Sequence, residues 1–429
     1  GYNADGDLIF GSLNPVQLLH EEKNKRHINR LLSNMFVEVD FLKDFKFKSS
    51  ANVSLIGQRL NSFRPSTLAS NGFNGPPPRD ASLSEEYAEE INWSADQLLS
   101  YSKSLGESHG LDVLLGYTAQ EATLRNIGSQ GTKFPDDQIR FLQNAEIFSV
   151  NSGETSWSLL AYFARLNYDF KDKYLLSATY RREGSSRFGS NNRWGSFPAV
   201  SLGWRVSDES FLQNADWLND LKLRASFGVT GNNNIGNYPS LSTLTSSNYI
   251  LGNSFAPGKV LNSLANRNLG WEESDQFNYG VDITILDNTL VFMGEYYKKT
   301  TENMLLPVNI PVISGFESTF TNIGKVQNTG IEFALGYRNS IGEDLRIRSN
   351  FNISFNDNEV LAINDDNDQI RNGGFYGTNN VSQVGRPIGM LHGYRNLGVF
   401  NTVDQINSSP TQDGAIPGSF IYYDANGDG

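Results

Sequence analysis

The end of the chain contains a metal-like motif, Asp424-x-Asn426-x-Asp428-Gly429. Side-chain oxygens at alternate positions, followed by a glycine, are typical of the first half of a calcium-binding loop. The acidic residue that completes such a loop would lie beyond Gly429. Asp-Gly pairs also form ordinary turns. The motif therefore predicts either a Ca²⁺ site with Asp424, Asn426 and Asp428 as ligands or a plain turn.

Three aromatic residues in the irregular segments could contact a substrate, namely Trp194, Tyr238 and Phe375. The flat apolar side of a sugar ring suits an aromatic plane, which would make these residues a substrate-binding surface. Aromatic residues also form the girdles of membrane proteins or pack within loops. We favour this second interpretation for all three residues.

The sequence contains no arrangement of residues that supports catalysis. There is no G-x-S-x-G, no P-loop, no H-E-x-x-H and no histidine beside a plausible nucleophile. The absence of cysteine excludes a disulfide scaffold and a thiolate zinc site, and the four histidines are too scattered to form a metal-ligand pair. We therefore expect a protein that is not an enzyme, with no cofactor other than the calcium ion considered above.

Net charge, hydropathy and the first residues of the chain argue against nucleic acid as a partner, against membrane-spanning helices and against a signal peptide. The chain has 35 Lys+Arg against 47 Asp+Glu, a net charge of −12, which opposes general attraction to nucleic acid. No apolar run approaches the roughly 18 residues that a membrane-spanning helix needs. The first residues lack the charged and apolar regions of a signal peptide, which indicates either a cytosolic protein or a piece of a longer one.

Alternation of apolar and polar residues is the dominant pattern in the sequence. On one side of the segment from Leu160 to Phe170 the residues are apolar or aromatic, and Arg165, Asn167 and Asp169 lie on the other side. A period of two predicts β-strands with one apolar face. The predicted strands are 34–41, 45–56, 92–105, 111–122, 157–170, 174–182, 197–206, 220–230, 276–285, 290–299, 329–338 and 345–356.

Short and long connections alternate between these strands. If the chain runs up and down, all the short connections lie at one end of the strands and most of the long ones at the other. Outer-membrane β-barrels show this asymmetry, with short periplasmic turns and long extracellular loops. A soluble β-sandwich or solenoid is the alternative, but the predicted strands are longer than the five or six residues typical of globular sheets. We therefore predict an all-β, antiparallel transmembrane β-barrel.

Several motifs resemble the SusC/RagA family of TonB-dependent outer-membrane receptors of Bacteroidetes. They are the stretch 166–176, Tyr180-Arg181-Arg182-Glu183-Gly184-Ser185-Ser186-Arg187-Phe188-Gly189, the segments 193–198 and 223–232, Trp271-Glu272, Asn328-Thr329-Gly330-Ile331-Glu332 and the segment 424–429. The resemblance covers nearly the whole chain.

The resemblance implies a barrel of about 22 strands, filled by a plug. It also implies a surface lipoprotein lid of the SusD type, energy from the TonB complex and import of a bulky nutrient, an oligosaccharide or a peptide, through the outer membrane. With about a dozen strands, the chain is interpreted as a piece of such a barrel without the plug or the last strands. Residues 1–33 are predicted as an extracellular loop segment, 34–356 as barrel strands with loops, and 357–429 as a large extracellular loop region. The alternatives are a passive outer-membrane porin and a secreted carbohydrate-binding or adhesive β-protein.

Overall fold

Long β-strands dominate the chain. The computed structural model describes residues 15–68, 80–212, 214–252, 254–310, 312–316, 318–342, 344–363, 369–372 and 380–427. The strands are Lys23–Phe41 (β1), Phe45–Arg64 (β2), Ser82–Leu105 (β3), His109–Thr132 (β4), Ile147–Phe170 (β5), Tyr174–Ser185 (β6), Trp194–Arg205 (β7), Leu218–Asn232 (β8), Leu244–Leu251 (β9), Ser254–Leu261 (β10), Glu272–Ile285 (β11), Leu290–Glu302 (β12), Leu305–Asn309 (β13), Ser318–Asn322 (β14), Lys325–Ile341 (β15), Leu345–Ala362 (β16), Gln369–Asn372 (β17), Asn380–Gln383 (β18), Met390–Leu391 (β19), Asn396–Val399 (β20) and Phe420–Tyr422 (β21).

Twelve of these strands form one antiparallel sheet in the order β1 to β8, β11, β12, β15 and β16. Each long strand pairs with its neighbours along the chain, so the sheet is a continuous up-and-down wall. All twelve predicted strands are present, and the pairing confirms the predicted antiparallel arrangement. The other strands form small sheets, β9 with β10, β13 with β14, β17 with β18 and β19, and β20 with β21.

The helical elements are short. They are the α-helices Pro15–Glu21 (α1) and Val403–Asn407 (α2) and the 3₁₀ turns Leu142–Asn144, Val206–Asp208 and Val312–Ser314. None of the helices in the described part of the chain has the length and apolar character needed to cross a bilayer.

Several strands extend beyond their predicted bounds at the ends that join the long connections. β1 begins at Lys23, although the sequence predicted a loop up to residue 33, and β16 ends at Ala362 rather than at residue 356. The wall therefore occupies 23–362, which corrects both predicted boundaries. The segment Lys23–His27 is polar on both faces, so its backbone continues the hydrogen-bond ladder after the apolar alternation has ended.

Tight turns close hairpins at one end of the wall, at residues 42–44, 106–108, 171–173 and 286–289, and the chain also reverses at this end between Ile341 and Leu345. Lys171 and Asp172 both have positive φ, as do Leu286, Asp287 and Asn288. Turns with positive φ match the right-handed twist of the flanking strands, which keeps the hairpins in register. The segments 65–81, 133–146, 186–193, 233–271 and 303–324 join the strands at the opposite end.

Most of the buried apolar side chains of the described residues lie at this opposite end, and eleven of them form three clusters. Their members are Phe188, Phe197, Ile235, Leu269 and Trp271 in the first, Phe63, Ala81 and Leu83 in the second, and Val326, Val360 and Ile363 in the third. In the described part of the chain, no second large sheet covers the apolar side of the wall. This arrangement excludes the β-sandwich alternative for the part of the chain that is described, because a sandwich would bury the middle of its strands.

Candidate functional site

The two faces of the wall differ in chemistry. The apolar face carries Leu115, Leu166, Val200, Leu202 and Leu223. The polar face carries the residues that precede and follow each of them in the sequence. Leu202 is 57% exposed and Leu115 is 49% exposed, although both lie in the middle of their strands. Exposed apolar surface on this scale is unfavourable in water but suits the hydrocarbon of a bilayer.

An aromatic row crosses the apolar face near the tight turns. Its ring contacts connect neighbouring strands through the pairs Phe41–Phe45, Phe45–Tyr101, His109–Phe170, Phe170–Tyr174 and Tyr174–Trp204. Amphipathic rings are typical of the level at which hydrocarbon meets the polar headgroups. The row therefore indicates one membrane interface.

Glu209 fixes part of this row. Its carboxylate accepts hydrogen bonds from Tyr174 Oη at 2.6 Å, Trp204 Nε1 at 3.1 Å and Lys173 Nζ at 3.1 Å. These bonds, that of Tyr174 above all, lower the pKa of the Glu209 carboxyl below its usual value. One carboxylate thus holds two interfacial rings and a cation in place.

A second aromatic row lies farther along the strands. The ring of Tyr162 contacts those of Tyr117 and Trp194, and the guanidinium of Arg182 lies over the Trp194 ring. On β5, Tyr162 and Phe170 are eight residues apart. At about 3.4 Å per residue and a tilt of about 40°, the rows are roughly 20 Å apart in height, close to the thickness of the apolar band of an outer-membrane barrel.

Hydrogen bonds and ion pairs connect side chains across the polar face. Asp96 accepts from Thr118 at 2.8 Å and from Asn52 at 3.3 Å. Arg224 donates to both carboxylate oxygens of Asp282, at 2.8 and 3.0 Å, and to Glu295 at 3.3 Å. The polar face therefore offers a surface of donors and acceptors suited to water and to polar solutes.

Large side chains of the polar face lie flat over glycines of the neighbouring strand. A Cβ atom added to Gly280 would meet the Arg224 guanidinium, and one added to Gly116 would overlap the Phe163 ring. Tyr297 covers Gly330 in the same way. Glycine at these positions lets a long side chain lie along the wall, which keeps the polar face free of large projections.

One place on the polar face has unbalanced charge. Glu332 lies directly opposite Glu295 in the β12–β15 register, and Arg224 forms an ion pair with Glu295 and Asp282. Like charges at opposed positions destabilise a sheet. These four residues form the Arg224 cluster, in which the one arginine pairs with two of the three carboxylates.

A compact rim connects the long segments at the other end of the wall. Arg187 lies over the Trp157 ring and donates to Asn237 Oδ1 and to the Asn233 carbonyl, both at 3.0 Å. Burial lowers the pKa of Arg187. Trp271 Nε1 donates to the Arg193 carbonyl at 3.1 Å. The first apolar cluster, with Arg187 and Trp271, therefore fixes the segments 186–193 and 233–271 relative to each other.

Comparison with known proteins identifies this architecture. A family model described as "TonB dependent receptor-like, beta-barrel" matches residues 21–426. The chain belongs to this family. It is 33% identical to the TonB-dependent receptor P39 of Formosa agariphila over 91% of this chain and 37% of the relative. It is 30% identical to the TonB-dependent receptor SusC of Bacteroides thetaiotaomicron over 83% of this chain and 35% of the relative.

A solved transporter structure shares the fold. The structure of the RagAB peptide transporter superimposes with a TM-score of 0.78 at 26% identity, covering 90% of this chain and 42% of that chain. This match and the relatives confirm the SusC/RagA-like assignment and the TonB-dependent barrel fold. The chain spans less than half the length of the relatives that it matches.

The structure of this TonB-dependent receptor chain separates the predicted substrate-binding residues. Trp194 belongs to the second aromatic row on the apolar face. Tyr238 lies at the rim, where its hydroxyl accepts a hydrogen bond from the Ser156 backbone N–H at 2.9 Å. Phe375 lies outside the described residues. Trp194 and Tyr238 thus occupy girdle and loop-packing positions, and their contact with substrate stays a prediction.

The predicted calcium ligands are only partly described. Asp424 Oδ1 accepts a hydrogen bond from the Gly427 backbone N–H at 2.8 Å, which closes a turn, and Asp428 lies outside the described residues. Within the part of the chain that the structure describes, no group of three or more His, Asp or Glu side chains is placed to hold a metal ion. The calcium site stays a prediction.

Proposed function

We propose that this chain is part of an outer-membrane receptor that imports a bulky polar nutrient, an oligosaccharide or a peptide. The observation that carries the proposal is the wall itself, whose apolar face has two aromatic rows and whose polar face carries hydrogen bonds between side chains of neighbouring strands. Family membership supports active transport. In the full-length protein, energy comes from the TonB complex, and a SusD-like lipoprotein covers the extracellular end. The protein has no enzymatic activity of its own.

The likeness to a peptide transporter supports a peptide as one substrate class. The polar face supports peptides and oligosaccharides equally, because both present many hydrogen-bonding groups along a flexible chain. Trp194, Tyr238 and Phe375 are the candidate contacts from the sequence. A transport experiment is therefore needed to distinguish a peptide from an oligosaccharide as the imported nutrient.

The test is uptake by intact cells of the source bacterium. We expect deletion of the full-length gene to abolish uptake of one class of labelled oligosaccharide or peptide, and the wild-type gene to restore it. Uptake should also stop when TonB is removed, because the transport is energised. Uptake that persists without TonB would instead identify a passive porin, and recovery of the protein in the culture medium would identify a secreted binding protein.

The orientation of the wall gives a separate prediction. The tight turns should face the periplasm and the long segments the cell exterior. Asp172 lies in an exposed tight turn, and Asn234 lies in an exposed long segment. With Asp172→Cys and Asn234→Cys in the full-length receptor, a membrane-impermeant maleimide should label only the second variant on intact cells and both after lysis. Equal labelling of the two on intact cells would contradict this orientation.

The calcium prediction is tested in the full-length receptor. Asp424, Asn426 and Asp428 should bind one Ca²⁺ with a Kd of about 10⁻⁴ to 10⁻³ M, at oxygen distances of roughly 2.3–2.6 Å. Calorimetry should detect one site that D424N/D428N removes. The control is D365N/D366N in a second acidic segment of the sequence, Asn364-Asp365-Asp366-Asn367-Asp368, which should leave binding unchanged. A full-length structure in millimolar calcium, with this loop ordered and no ion, would leave only the plain turn.

A further inference from the structure

The apolar face contains a groove that neither the fold nor the proposed import explains. It has a volume of about 940 Å³ and lies across β5 to β8 and β11. Its apolar lining includes Tyr174, Leu176, Leu202, Trp204, Leu223 and Tyr279.

Differences in side-chain size create the groove. Ala225 is in register between Leu202 and Tyr279, so the smallest side chain of this row lies between two large ones. The stacked rings of Tyr174 and Trp204 form one wall, with centroids 6.5 Å apart and planes at 13°. Tyr279, stacked on Tyr296 at 6.5 Å, forms the other wall. Ordered rings on both sides give a fixed shape to what would otherwise be flat sheet surface.

Polar groups lie beside one end of the groove, next to Tyr174 and Trp204 of its lining. The tips of Tyr174 and Trp204 both donate to Glu209, which also accepts from Lys173 Nζ at 3.1 Å. The Lys173 and Glu209 side chains are only 18% and 16% exposed. A carboxylate has about four lone-pair positions and an ammonium has three N–H donors, so each group keeps bonding capacity toward a ligand.

The rest of the barrel cannot cover this groove. β5 to β8 and β11 lie in the interior of the sheet, and strands that complete the barrel would pair at the edges, β1 and β16. The groove begins at the first aromatic row, to which Tyr174 and Trp204 belong, and extends from there along Leu202 and Ala225 toward the hydrocarbon layer. Its occupant must be apolar along most of its length and polar at the end that meets Lys173 and Glu209.

We propose that the groove binds one phospholipid, with an acyl chain along Leu202, Leu223 and Ala225 and a zwitterionic headgroup at Lys173 and Glu209. The headgroup phosphate accepts hydrogen bonds from Lys173, and its ammonium group donates to Glu209. The proposal rests on the position of the apolar face in the bilayer and is independent of the imported nutrient.

The test measures lipid retained by the full-length receptor after purification in a mild non-ionic detergent. Native mass spectrometry should show one phospholipid bound per barrel. Ala225→Trp fills the groove and should lower this occupancy about tenfold, because the acyl chain loses its buried apolar contacts. The matched control is Ala119→Trp, which places the same ring on the apolar face of β4, outside the groove, and should retain the lipid. Equal occupancy in the wild type and Ala225→Trp would overturn the proposal.

The headgroup assignment has its own measurement. With phosphatidylethanolamine and phosphatidylglycerol supplied in equal amounts, the wild type should retain the first in excess, and Glu209→Gln should lose this preference. An unchanged preference in Glu209→Gln would overturn the headgroup assignment.

A photoreactive phospholipid tests the groove without any substitution. In the wild-type receptor, crosslinks should concentrate on the peptides that contain 174–176, 202–204 and 223–225. Crosslinks spread evenly over the apolar face, or a second copy of the barrel crosslinked at these positions, would overturn the proposal. None of these readouts depends on transport, so loss of uptake activity and loss of lipid binding are distinguished.

Discussion

Replacement of Leu166 by arginine should lower the free energy of unfolding of the full-length barrel by about 2–4 kcal/mol. Leu166 lies on the apolar face of β5, four residues from Tyr162 in one aromatic row and four from Phe170 in the other. It is in register with Val113 and Ala178 on the adjacent strands, so arginine there would enter hydrocarbon near the middle of the bilayer. The measurement is denaturant unfolding of the receptor in lipid vesicles.

The depth of the substituted residue in the bilayer sets the size of the loss in stability. Leu176 is also on the apolar face but is two residues from Tyr174, so Leu176→Arg should cost less because its guanidinium can reach the interface. The control is Ser201→Arg on the polar face, beside a groove of about 370 Å³ that Asp169 also lines. Ser201 is preferable to its pairing partner Ser177, which donates to Asn167. A larger loss for Ser201→Arg than for Leu166→Arg would mean that the faces are inverted.

Replacement of Arg224 by methionine should cost about 2–3 kcal/mol in the same assay. Methionine keeps an unbranched apolar stem but removes the guanidinium that lies over Gly280, and it leaves Asp282 and Glu295 without their common cation. The expected loss is below that of a fully buried pair because the Arg224 and Asp282 side chains are 35% and 27% exposed. Arg165→Met is the control, because Arg165 also lies on the polar face but forms no ion pair within the described residues. That variant should stay within about 0.5 kcal/mol of the wild type.

Neutralising the partners of Arg224 tests the electrostatic explanation. If uncompensated carboxylates cause the loss, Asp282→Asn combined with Glu295→Gln should restore much of the stability of Arg224→Met. The coupling between the substitutions in a double-mutant cycle then measures the interaction. Independent, additive losses would show that Arg224 acts through packing over Gly280 and not through its charge.

Much of the wall could be predicted from the sequence because a bilayer imposes a strict pattern on a strand. Each crossing needs an apolar side chain at every second position, and the alternation from Leu160 to Phe170 satisfies this need locally. Both faces of β5 and its tight turn to β6 followed from residues close together in the chain. The predicted strand ends were wrong where the need for an apolar face stops, as at Lys23–His27, which is polar on both faces. The small hairpin β9–β10 was missed because neither of its faces is uniformly apolar.

The sequence by itself determined the long antiparallel strands, which face of each is apolar and where the chain reverses, because these properties depend on neighbours one, two or three residues away. Only the tertiary structure decided which residues act together. The Arg224 cluster draws on β8, β11, β12 and β15, and its members become neighbours through strand pairing. The same register brings Ala225 between Leu202 and Tyr279, and the fold of the segment after β7 brings Glu209 to the rings of Tyr174 and Trp204. The physical reason is that a hydrogen-bonded sheet joins distant residues through a register that no single strand encodes.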